Sequence, residues 1–444
     1  MSRTIIRFQR ILHQAPLAAL EKFHLENAPP PNNHANARQT LTDLLLNPAI
    51  APFPALRAQQ ATQNMVLNVG DALLQELNRN VYIQGALQTV ATAPAGQGKR
   101  PLFMELYSDL AEEFPWEALF HGAATDFFAC RAISPVGRLA GGSYLATRWL
   151  DGTAITRRPV LRVLAVLAAQ NVPARGDWDA LYAARNQANG TKKFEMDLDV
   201  IVREQSLLQH IQGLGIPAAP LASRQILADR IQLFKPHIIH FFCHGSNVGS
   251  PHLQLGTNSG TPVTYTVSDL RNDLQKVELE LWMAVLNCCS LGQTTGSRSF
   301  ARQLVSSDVA VVVGMAEPIS SQFAHVFCKA YYREVVTRIA SNFPNVGQTV
   351  PVEWVEITVQ ARRDVLEDHT KASYTTQNAC DHKEWTLPVF YTVSDEFRFG
   401  FTDRAGTQVS PAQSVVKKGV PSLAGIPELP QPLRDELYGS MTSK

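Results

Sequence analysis

The sequence predicts an α/β fold, a mostly parallel sheet with helices on both faces, preceded by a small helical N-terminal extension. Two observations favour this class. Short apolar runs with the length and composition of buried strands alternate with stretches in which apolar residues recur at helical spacing. Strands and helices that alternate along a chain need crossover connections, and these connections produce parallel strands covered on both faces.

Residues 1–60 are interpreted as the N-terminal extension, a docking arm. The basic segment Thr4–Leu12 and the stretch 41–46 have helical character, and the proline-rich stretches 28–33 and 49–54 interrupt them. Proline lacks a backbone N–H, so we expect irregular structure at both interruptions.

Elements of both types follow in order as far as residue 391. The first half predicts helix 64–77, strand 102–107, strand 161–167, exposed loop 183–193, helix 195–214 and helix 223–234. The second half predicts strand 237–245, strand 281–292, helix 297–305, strand 309–313, helix 320–339, helix 352–367 and strand 385–391. Residues 401–444 contain several prolines with little periodicity and predict a poorly ordered tail.

Composition excludes several classes of partner. The formal net charge is +1, which gives no electrostatic reason to expect binding to nucleic acid or to a membrane surface. Since no apolar run reaches the roughly 18–20 residues of a spanning helix and the N-terminus has no signal-peptide core, we expect a soluble cytoplasmic protein. The six cysteines lie mostly inside apolar runs, which predicts reduced thiols.

Two apolar runs end at reactive side chains. The first, 237–245, ends at His244 and Gly245, and the second, 281–292, contains Cys289 near its end. In an open parallel sheet the carboxyl ends of neighbouring strands meet at one crevice. The sequence therefore predicts a thiol and its base at that edge of the sheet.

Alternation along a strand separates the candidates. His240, Phe242 and His244 share one face, whereas Cys243 points to the other, so Cys243 is interpreted as a core thiol and His240 as a hydrogen-bonded core histidine. Cys288 and Cys289 cannot both face the crevice while the strand persists. The residues alone leave the choice between these two cysteines open.

Five motifs in order resemble those of the CHAT domain, a caspase-like family related to separase. They lie at 114–119 (FPWEAL), 238–245 (IIHFFCHG), 285–290 (VLNCCS), 311–315 (VVVGM) and 385–391 (WTLPVFY). The resemblance implies a caspase-like sheet, a supporting, pseudo-protease-like half over 65–225 and a catalytic half over 226–400. It also implies a cysteine endopeptidase with His244 and Cys289 as its dyad. Cys288 departs from the family pattern, which usually has a small residue, often Ala, at that position.

The dyad suits acyl transfer to a thiol. A cysteine thiol is only a few per cent thiolate at neutral pH, so it needs a base such as histidine to take its proton. The backbone N–H groups of Gly245 and Cys289 could hold the developing oxyanion. No cofactor is required for this chemistry.

Four further residues are candidates for lining the site: Trp116, Glu117, Asp269 and Cys288. Trp116 is also expected as a packing anchor, and Glu117 could line the site or cap a helix. Asp269 could contribute to a substrate pocket, although a carboxylate in the first turn of a helix, stabilised by the helix dipole, is the commoner role.

Two other classes of function were weighed. His237, His240, Cys243, His244, Cys288 and Cys289 offer zinc-type ligands. The sequence has no Cys-x-x-Cys pair, however, and strand alternation sends these side chains to opposite faces. The second alternative is a non-catalytic scaffold with the same fold, but such a scaffold has no chemical reason to keep both His-Gly and the terminal cysteine.

The expected partners are proteins. The resemblance implies a protein substrate and a separate activator or sensor protein, in signalling or bacterial defence, with a gasdermin-like pore former as one such target. The chain carries no helical repeat array that would act as its own sensor.

Overall fold

The computed structural model describes residues 3–12, 19–25, 56, 63–94, 98–106, 112, 114–140, 147–151, 158–246, 251–276, 281–288, 296–307 and 309–402. The predicted helix 41–46 and nearly all of the predicted tail lie outside the described residues. No helix in these ranges is long and apolar enough to cross a membrane.

Strands and helices alternate through the described part of the chain. The strands are β1 (Thr4–Leu12), β2 (Ala19–Leu25), β3 (Leu102–Leu106), β4 (Phe120–His121), β5 (Asp126–Phe127), β6 (Val136–Leu139), β7 (Thr147–Asp151), β8 (Val160–Leu167), β9 (Glu195–Val202), β10 (Ala218–Pro220), β11 (Ile238–Phe242), β12 (His244–Ser246), β13 (His252–Gly256), β14 (Pro262–Thr266), β15 (Met283–Leu286), β16 (Val311–Met315), β17 (Thr349–Pro351), β18 (Pro388–Thr392) and β19 (Arg398–Thr402). The helices are α1 (Met65–Leu77), α2 (Val81–Ala91), α3 (Arg175–Gly190), α4 (Gln205–Gly213), α5 (Arg224–Phe234), α6 (Val267–Gln275), α7 (Gly296–Val305), α8 (Ser321–Ser341), α9 (Ile357–Thr370) and α10 (Thr376–Asp381).

One large sheet organises these elements. Its order is β10-β9-β8-β11-β15-β16-β18-β6-β3-β1-β2. All neighbours from β10 to β16 are parallel, β18 runs antiparallel to β16, and β2 runs antiparallel to β1. The mostly parallel sheet predicted from the alternation of elements is confirmed.

Helices cover both faces of this sheet. Strand β8 shows why, because Val163 and Leu167 pack with α3 and α8 on one face, whereas Leu164 and Val166 pack with α5, α6 and α7 on the other. Each large apolar side chain buried in this way contributes roughly 1.5–3 kcal/mol relative to exposure. A third cluster, around β1, β3 and α1, surrounds the segment that contains Trp116.

The N-terminal segment Thr4–Leu12 is a strand, so its predicted helical character is wrong. It pairs parallel with β3 and antiparallel with β2. Ile6 and Phe8, two residues apart, are both buried, which is the period of a strand. Pairing with β2 and β3 outweighs the local helical preference.

Two other predictions in the middle of the chain are wrong. The predicted loop 183–193 largely belongs to helix α3, where Ala184 and Ala188 face the core. The predicted helix 195–214 is strand β9 followed by helix α4. Strand β9 lies between β8 and β10, and its first six residues alternate polar and apolar side chains, which is the period of a strand, with Met196, Leu198 and Val200 buried.

Candidate active site

Strands β11 and β15 lie side by side in parallel register. Ile238 pairs with Met283 and Phe241 pairs with Leu286. The backbone N–H of Asn287 then donates to the carbonyl oxygen of Phe241 at 2.8 Å, which continues the pairing by one residue. In the sequence, His244 and Cys289 each stand three positions beyond the Phe241–Leu286 pair. Cys289 itself lies outside the described residues.

The residues immediately before the two candidates are in contact. The sulfur atoms of Cys243 and Cys288 lie 3.6 Å apart, and both side chains are completely buried. They share the cluster of α5, α6 and α7, whereas Phe242 packs on the opposite face. The prediction that Cys243 is a core thiol is therefore confirmed, and Cys288 occupies the same core.

His244 begins a separate small sheet at the end of β11. Residues His244–Ser246 pair antiparallel with β13, so the backbone turns away from the main sheet directly after Cys243. The side chain of His244 is half-buried, and its Nε2 donates to the carbonyl oxygen of Gln170 at 2.7 Å. Since a carbonyl oxygen only accepts, the neutral ring carries its hydrogen on Nε2 and its lone pair on Nδ1. Nδ1 is then the atom suited to take a proton.

The support for this ring comes from the end of strand β8. Gln170 follows β8, and the N–H of Ala168 donates to the carbonyl of Phe242 at 2.8 Å. The carbonyl of Ala168 in turn accepts from Gly256 at 2.8 Å. Backbone groups from β8, β11 and β13 therefore fix the position of the carbonyl that orients His244. Gly245 lies opposite Leu253 in the small sheet and is buried.

A buried carboxylate that no motif in the sequence marks lies beneath the strand ends. Asp177, in the first turn of α3, has no exposed surface. Its Oδ1 accepts from Nε2 of His240 at 2.8 Å and from the side-chain amide of Asn287 at 2.7 Å, and its Oδ2 contacts Nδ1 of His325. The interpretation of His240 as a hydrogen-bonded core histidine is confirmed.

This network keeps Asp177 ionised. Burial alone would raise the pKa of the Asp177 carboxyl, but the hydrogen bonds from His240 and His325 outweigh burial and hold the pKa below its usual range. The same negative charge and the burial raise the pKa of the Cys328 thiol well above normal. No local pattern in the sequence links Asp177 to His240, because the two residues meet only when α3 packs across β8 and β11.

Trp116 and Glu117 lie in a different part of the core. Trp116 packs against the rings of Phe8 and Phe114 and is almost completely buried. Glu117 is fully buried and forms an ion pair with Arg138 on β6, with oxygen–nitrogen distances of 2.6 and 2.9 Å. The packing role expected for Trp116 is confirmed. Glu117 forms its ion pair with strand β6 and does not cap a long helix.

Asp269 caps helix α6. Its carboxylate accepts from the N–H of Thr266 at 2.9 Å, while the hydroxyl of Thr266 accepts from the N–H of Asp269 at 3.1 Å. The other carboxylate oxygen pairs with Arg224 on α5 at 2.7 Å. Both oxygens are thus engaged in joining two helices, and the expected role in the first turn is confirmed.

The zinc ligands weighed from the sequence do not converge among the described residues. His237 is held by Arg162, whose backbone N–H donates to Nδ1 at 3.0 Å. Cys243 and Cys288 contact each other on one face of the sheet, whereas His240 is bound by Asp177 on the other. Two other groups do have potential ligand atoms within 4.8 Å of one another, Asp177 with His240 and Cys328, and His369 with His382 and Glu384.

Comparison with solved structures finds distant similarity. A chain of the Saccharomyces cerevisiae separase–securin complex is 11% identical with a TM-score of 0.35, covering 75% of this chain and 18% of that chain. The Drosophila initiator caspase Dronc is 11% identical with a TM-score of 0.31, covering 58% and 89%. The Arg-specific cysteine proteinase gingipain R is 9% identical with a TM-score of 0.37, covering 70% and 67%. No curated protein sequence matches the chain.

Because these TM-scores lie below 0.5, the assignment depends on the match to a family. The family model of the CHAT domain matches residues 38–342, which is more than half of the 444 residues. That range contains the Pro-Trp-Glu motif, the strand before His244 and the strand before Cys289. The chain belongs to the CHAT domain family.

Proposed function

We propose that the chain is a cysteine endopeptidase that cleaves a protein substrate with His244 and Cys289. The observation that carries the proposal is the contact between Cys243 and Cys288, 3.6 Å apart at the ends of two parallel strands. Each of these cysteines directly precedes one member of the dyad in the sequence. The resemblance of both motifs to the family's catalytic strands supports the same assignment.

The chemistry follows from the tautomer of His244. Nδ1 of His244 takes the proton of the Cys289 thiol, and the thiolate attacks the carbonyl carbon of a peptide bond. The tetrahedral intermediate collapses to a thioester as the amine leaves with the proton from His244. Water then attacks the thioester, gives a proton to His244 and releases the carboxylic acid, and the proton returns to the thiol. The N–H groups of Gly245 and Cys289 are proposed to hold the oxyanion.

We also propose that a separate activator controls the enzyme, in a signalling or bacterial defence pathway in the cytoplasm. Residues 1–60 would receive the activator, 65–225 would form the supporting half and 226–400 the catalytic half, with 401–444 as a tail. A gasdermin-like pore former is one substrate that the family resemblance supports. Purified chain that cleaves proteins at full rate without any partner would contradict the need for an activator.

The test is a search for new N-termini. The chain is expressed together with the proteins encoded beside it, as wild type and as Cys289→Ala, and the cell proteins are analysed by mass spectrometry. We expect new N-termini with the wild type and none with Cys289→Ala or His244→Ala. Cys380→Ala is the matched control, because it removes a thiol in α10 from a separate core cluster.

Two outcomes would contradict the proposal. Cleavage that persists in Cys289→Ala would assign the nucleophile to another residue. Identical protein profiles with and without the wild-type chain, alongside physical association with a neighbour-encoded protein, would favour the non-catalytic scaffold.

A further inference from the structure

Two histidines and a glutamate converge at a place that the proposed protease chemistry does not use. His369 lies in the last turn of α9, His382 directly follows α10, and Glu384 begins the short 3-10 helix Glu384–Thr386. One potential ligand atom from each lies within 4.8 Å of the other two. The rings of His369 and His382 are 4.5 Å apart between centroids. We call these three residues the His-His-Glu cluster.

Two polar atoms of the cluster lack a hydrogen-bond partner. Nδ1 of His369 and Oε2 of Glu384 are both shut off from solvent, and neither makes a hydrogen bond. Buried polar atoms are nearly always satisfied, since an unpaired buried donor or acceptor costs free energy. These two atoms lie 4.0 Å apart. That gap exceeds the roughly 2.7–2.9 Å of a charge-assisted hydrogen bond.

A metal ion could fill this gap. Zinc binds histidine nitrogen and carboxylate oxygen at about 2.0–2.2 Å in a tetrahedral arrangement, which places two ligand atoms roughly 3.3–3.6 Å apart. Nδ1 of His369 and Oε2 of Glu384 are 4.0 Å apart, so a small movement of the two side chains would bring them to that separation. Small rotations of the half-buried side chain of His382 would bring its nitrogen to the same point.

The chemistry of the ligands selects the type of metal. Two imidazoles and one carboxylate form a set that zinc uses with a fourth position open to water. Magnesium and calcium prefer sets made of oxygen alone. The cluster therefore suits a first-row transition metal, and zinc is the member of that class without redox chemistry.

The other buried group is less suited to a metal. In the group of Asp177, His240 and Cys328, the carboxylate oxygens already accept from His240 and Asn287 and contact His325. Metal binding also requires a thiolate, and the pKa of Cys328 is raised well above normal by burial and by the charge of Asp177. Both carboxylate oxygens of Asp177 are engaged within the protein, although the buried Nδ1 of His240 makes no hydrogen bond.

The His-His-Glu cluster lies where the end of α9 meets the segment before β18, so a bound ion would connect these two parts of the fold. Pro388, the first residue of β18, pairs with Met315, the last residue of β16, so the segment with His382 and Glu384 enters the sheet at the carboxyl edge of β16. The ring of His369 packs 4.8 Å from Phe323, in the first turn of α8. We propose that the His-His-Glu cluster binds one zinc ion that joins the end of α9 to the segment leading into β18.

The experiment uses the full chain, freed of metal with a chelator and titrated with Zn²⁺ and Co²⁺. We expect saturable binding of one ion at the cluster and a rise in Tm on addition of zinc, because a ligand that binds only the folded state stabilises it. Bound Co²⁺ should show visible ligand-field bands without a thiolate charge-transfer band, which separates the cluster from binding by cysteines.

Two variants identify the ligands. Glu384→Gln keeps the size of the side chain and removes its charge, and His382→Ala removes one imidazole. Each should weaken binding at least about tenfold and reduce the zinc-dependent rise in Tm. His210→Ala is the control, because His210 is exposed at the end of α4 and belongs to no cluster of potential ligands among the described residues.

The proposal is overturned by either of two results. Wild-type chain that takes up no Zn²⁺ or Co²⁺ in a saturable way would leave the cluster as a histidine–carboxylate pair only. Binding that is unchanged in a folded Glu384→Gln variant would place the ion elsewhere. Neither result depends on protease activity, so failure of the proposed function would leave this test intact.

Discussion

The side-chain amide of Asn287 donates to Oδ1 of Asp177 at 2.7 Å, and both residues are completely buried. This bond joins the first turn of α3 to a residue two positions before Cys289. A second bond from the same amide reaches the carbonyl of Ala324 on α8 at 3.1 Å. The end of the cysteine strand is therefore tied to two helices on one face of the sheet.

Asp177→Ala should lower the free energy of unfolding by roughly 3–5 kcal/mol, measured by denaturant titration. Removal of the carboxylate leaves Nε2 of His240 buried without an acceptor and takes from Asn287 one of its two acceptors, and breaking a buried polar network costs about that much. Asp179→Ala is the matched control on the same helix, where an exposed pair with Arg175 contributes at most about 1 kcal/mol. Equal losses in the two variants would show that the buried network does not stabilise the strand end.

Thiol labelling should distinguish Cys289 from Cys288. The five cysteines in the described residues are all buried: Cys130, Cys243, Cys288, Cys328 and Cys380. Burial raises the pKa of Cys130 to about 12 and that of Cys380 to about 11, so both thiols carry almost no thiolate in the native chain and react slowly there.

We therefore expect iodoacetamide to modify one residue rapidly in the native chain, and peptide mapping should identify it as Cys289. The Cys289→Ala variant should show no rapid modification, and all its remaining thiols should react after unfolding. Rapid modification of Cys288 in native protein would contradict the buried position of that thiol beside Cys243.

His237 should make the stability of the fold depend on pH. Burial, together with the charge of Arg162, lowers the pKa of His237 to about 3. An unfolded histidine titrates near 6.5, so between about pH 6.5 and pH 3 the unfolded chain takes up a proton that the folded chain does not. The contribution of neutral His237 to the free energy of unfolding is therefore fully present above about pH 6.5. It falls on acidification by up to about 1.4 kcal/mol per pH unit.

The variant His237→Asn keeps an acceptor near the N–H of Arg162 and removes the titration. Its free energy of unfolding should fall less steeply between pH 6.5 and pH 4 than that of the wild type, as measured by denaturant titration at each pH. His210→Asn, at an exposed position, should leave the slope unchanged. If the free energy of unfolding fell equally steeply with pH in wild type and in His237→Asn, His237 would be ruled out as the source of the pH dependence.

Glu117→Gln should be strongly destabilising. The charge and hydrogen bonds of Arg138 outweigh burial and lower the pKa of Glu117, so the carboxyl is ionised and fully buried in the pair. The substitution leaves the buried guanidinium without its counter-charge, which costs roughly 3–5 kcal/mol in unfolding free energy.

The double variant Glu117→Leu with Arg138→Met should lose less than Glu117→Gln, because the guanidinium of Arg138 is removed together with its counter-charge. Thermal and denaturant unfolding of the two variants measure the difference. A double variant less stable than the single one would mean that the guanidinium's bonds to the carbonyls of Glu112 and Phe114 matter more than the ion pair.

Much of the fold was predictable from local pattern. The strands that contain Leu164, Ile239 and Val285 were predicted correctly, because short apolar runs bounded by polar segments are typical of buried strands. The helical prediction for Thr4–Leu12 is wrong because the strand state of this segment depends on β3, which is distant in the chain, whereas the strand period of β9 is present in residues 195–200 themselves. The faces of Cys243 and His240 were predicted correctly because alternation is a property of the strand alone.

By itself, the sequence determined most of the elements, the mostly parallel sheet and the two strands that lead to His244 and Cys289. The tertiary structure alone decided which groups fix the ends of those strands, namely the carbonyl of Gln170 at His244 and the carboxylate of Asp177 at Asn287. It also decided that His369, His382 and Glu384 converge elsewhere in the fold. The physical reason is distance along the chain. The apolar pattern of a strand is a property of consecutive residues and can be recognised in the sequence. A hydrogen-bond partner on another element has no such local pattern, because only packing brings the two groups within about 3 Å.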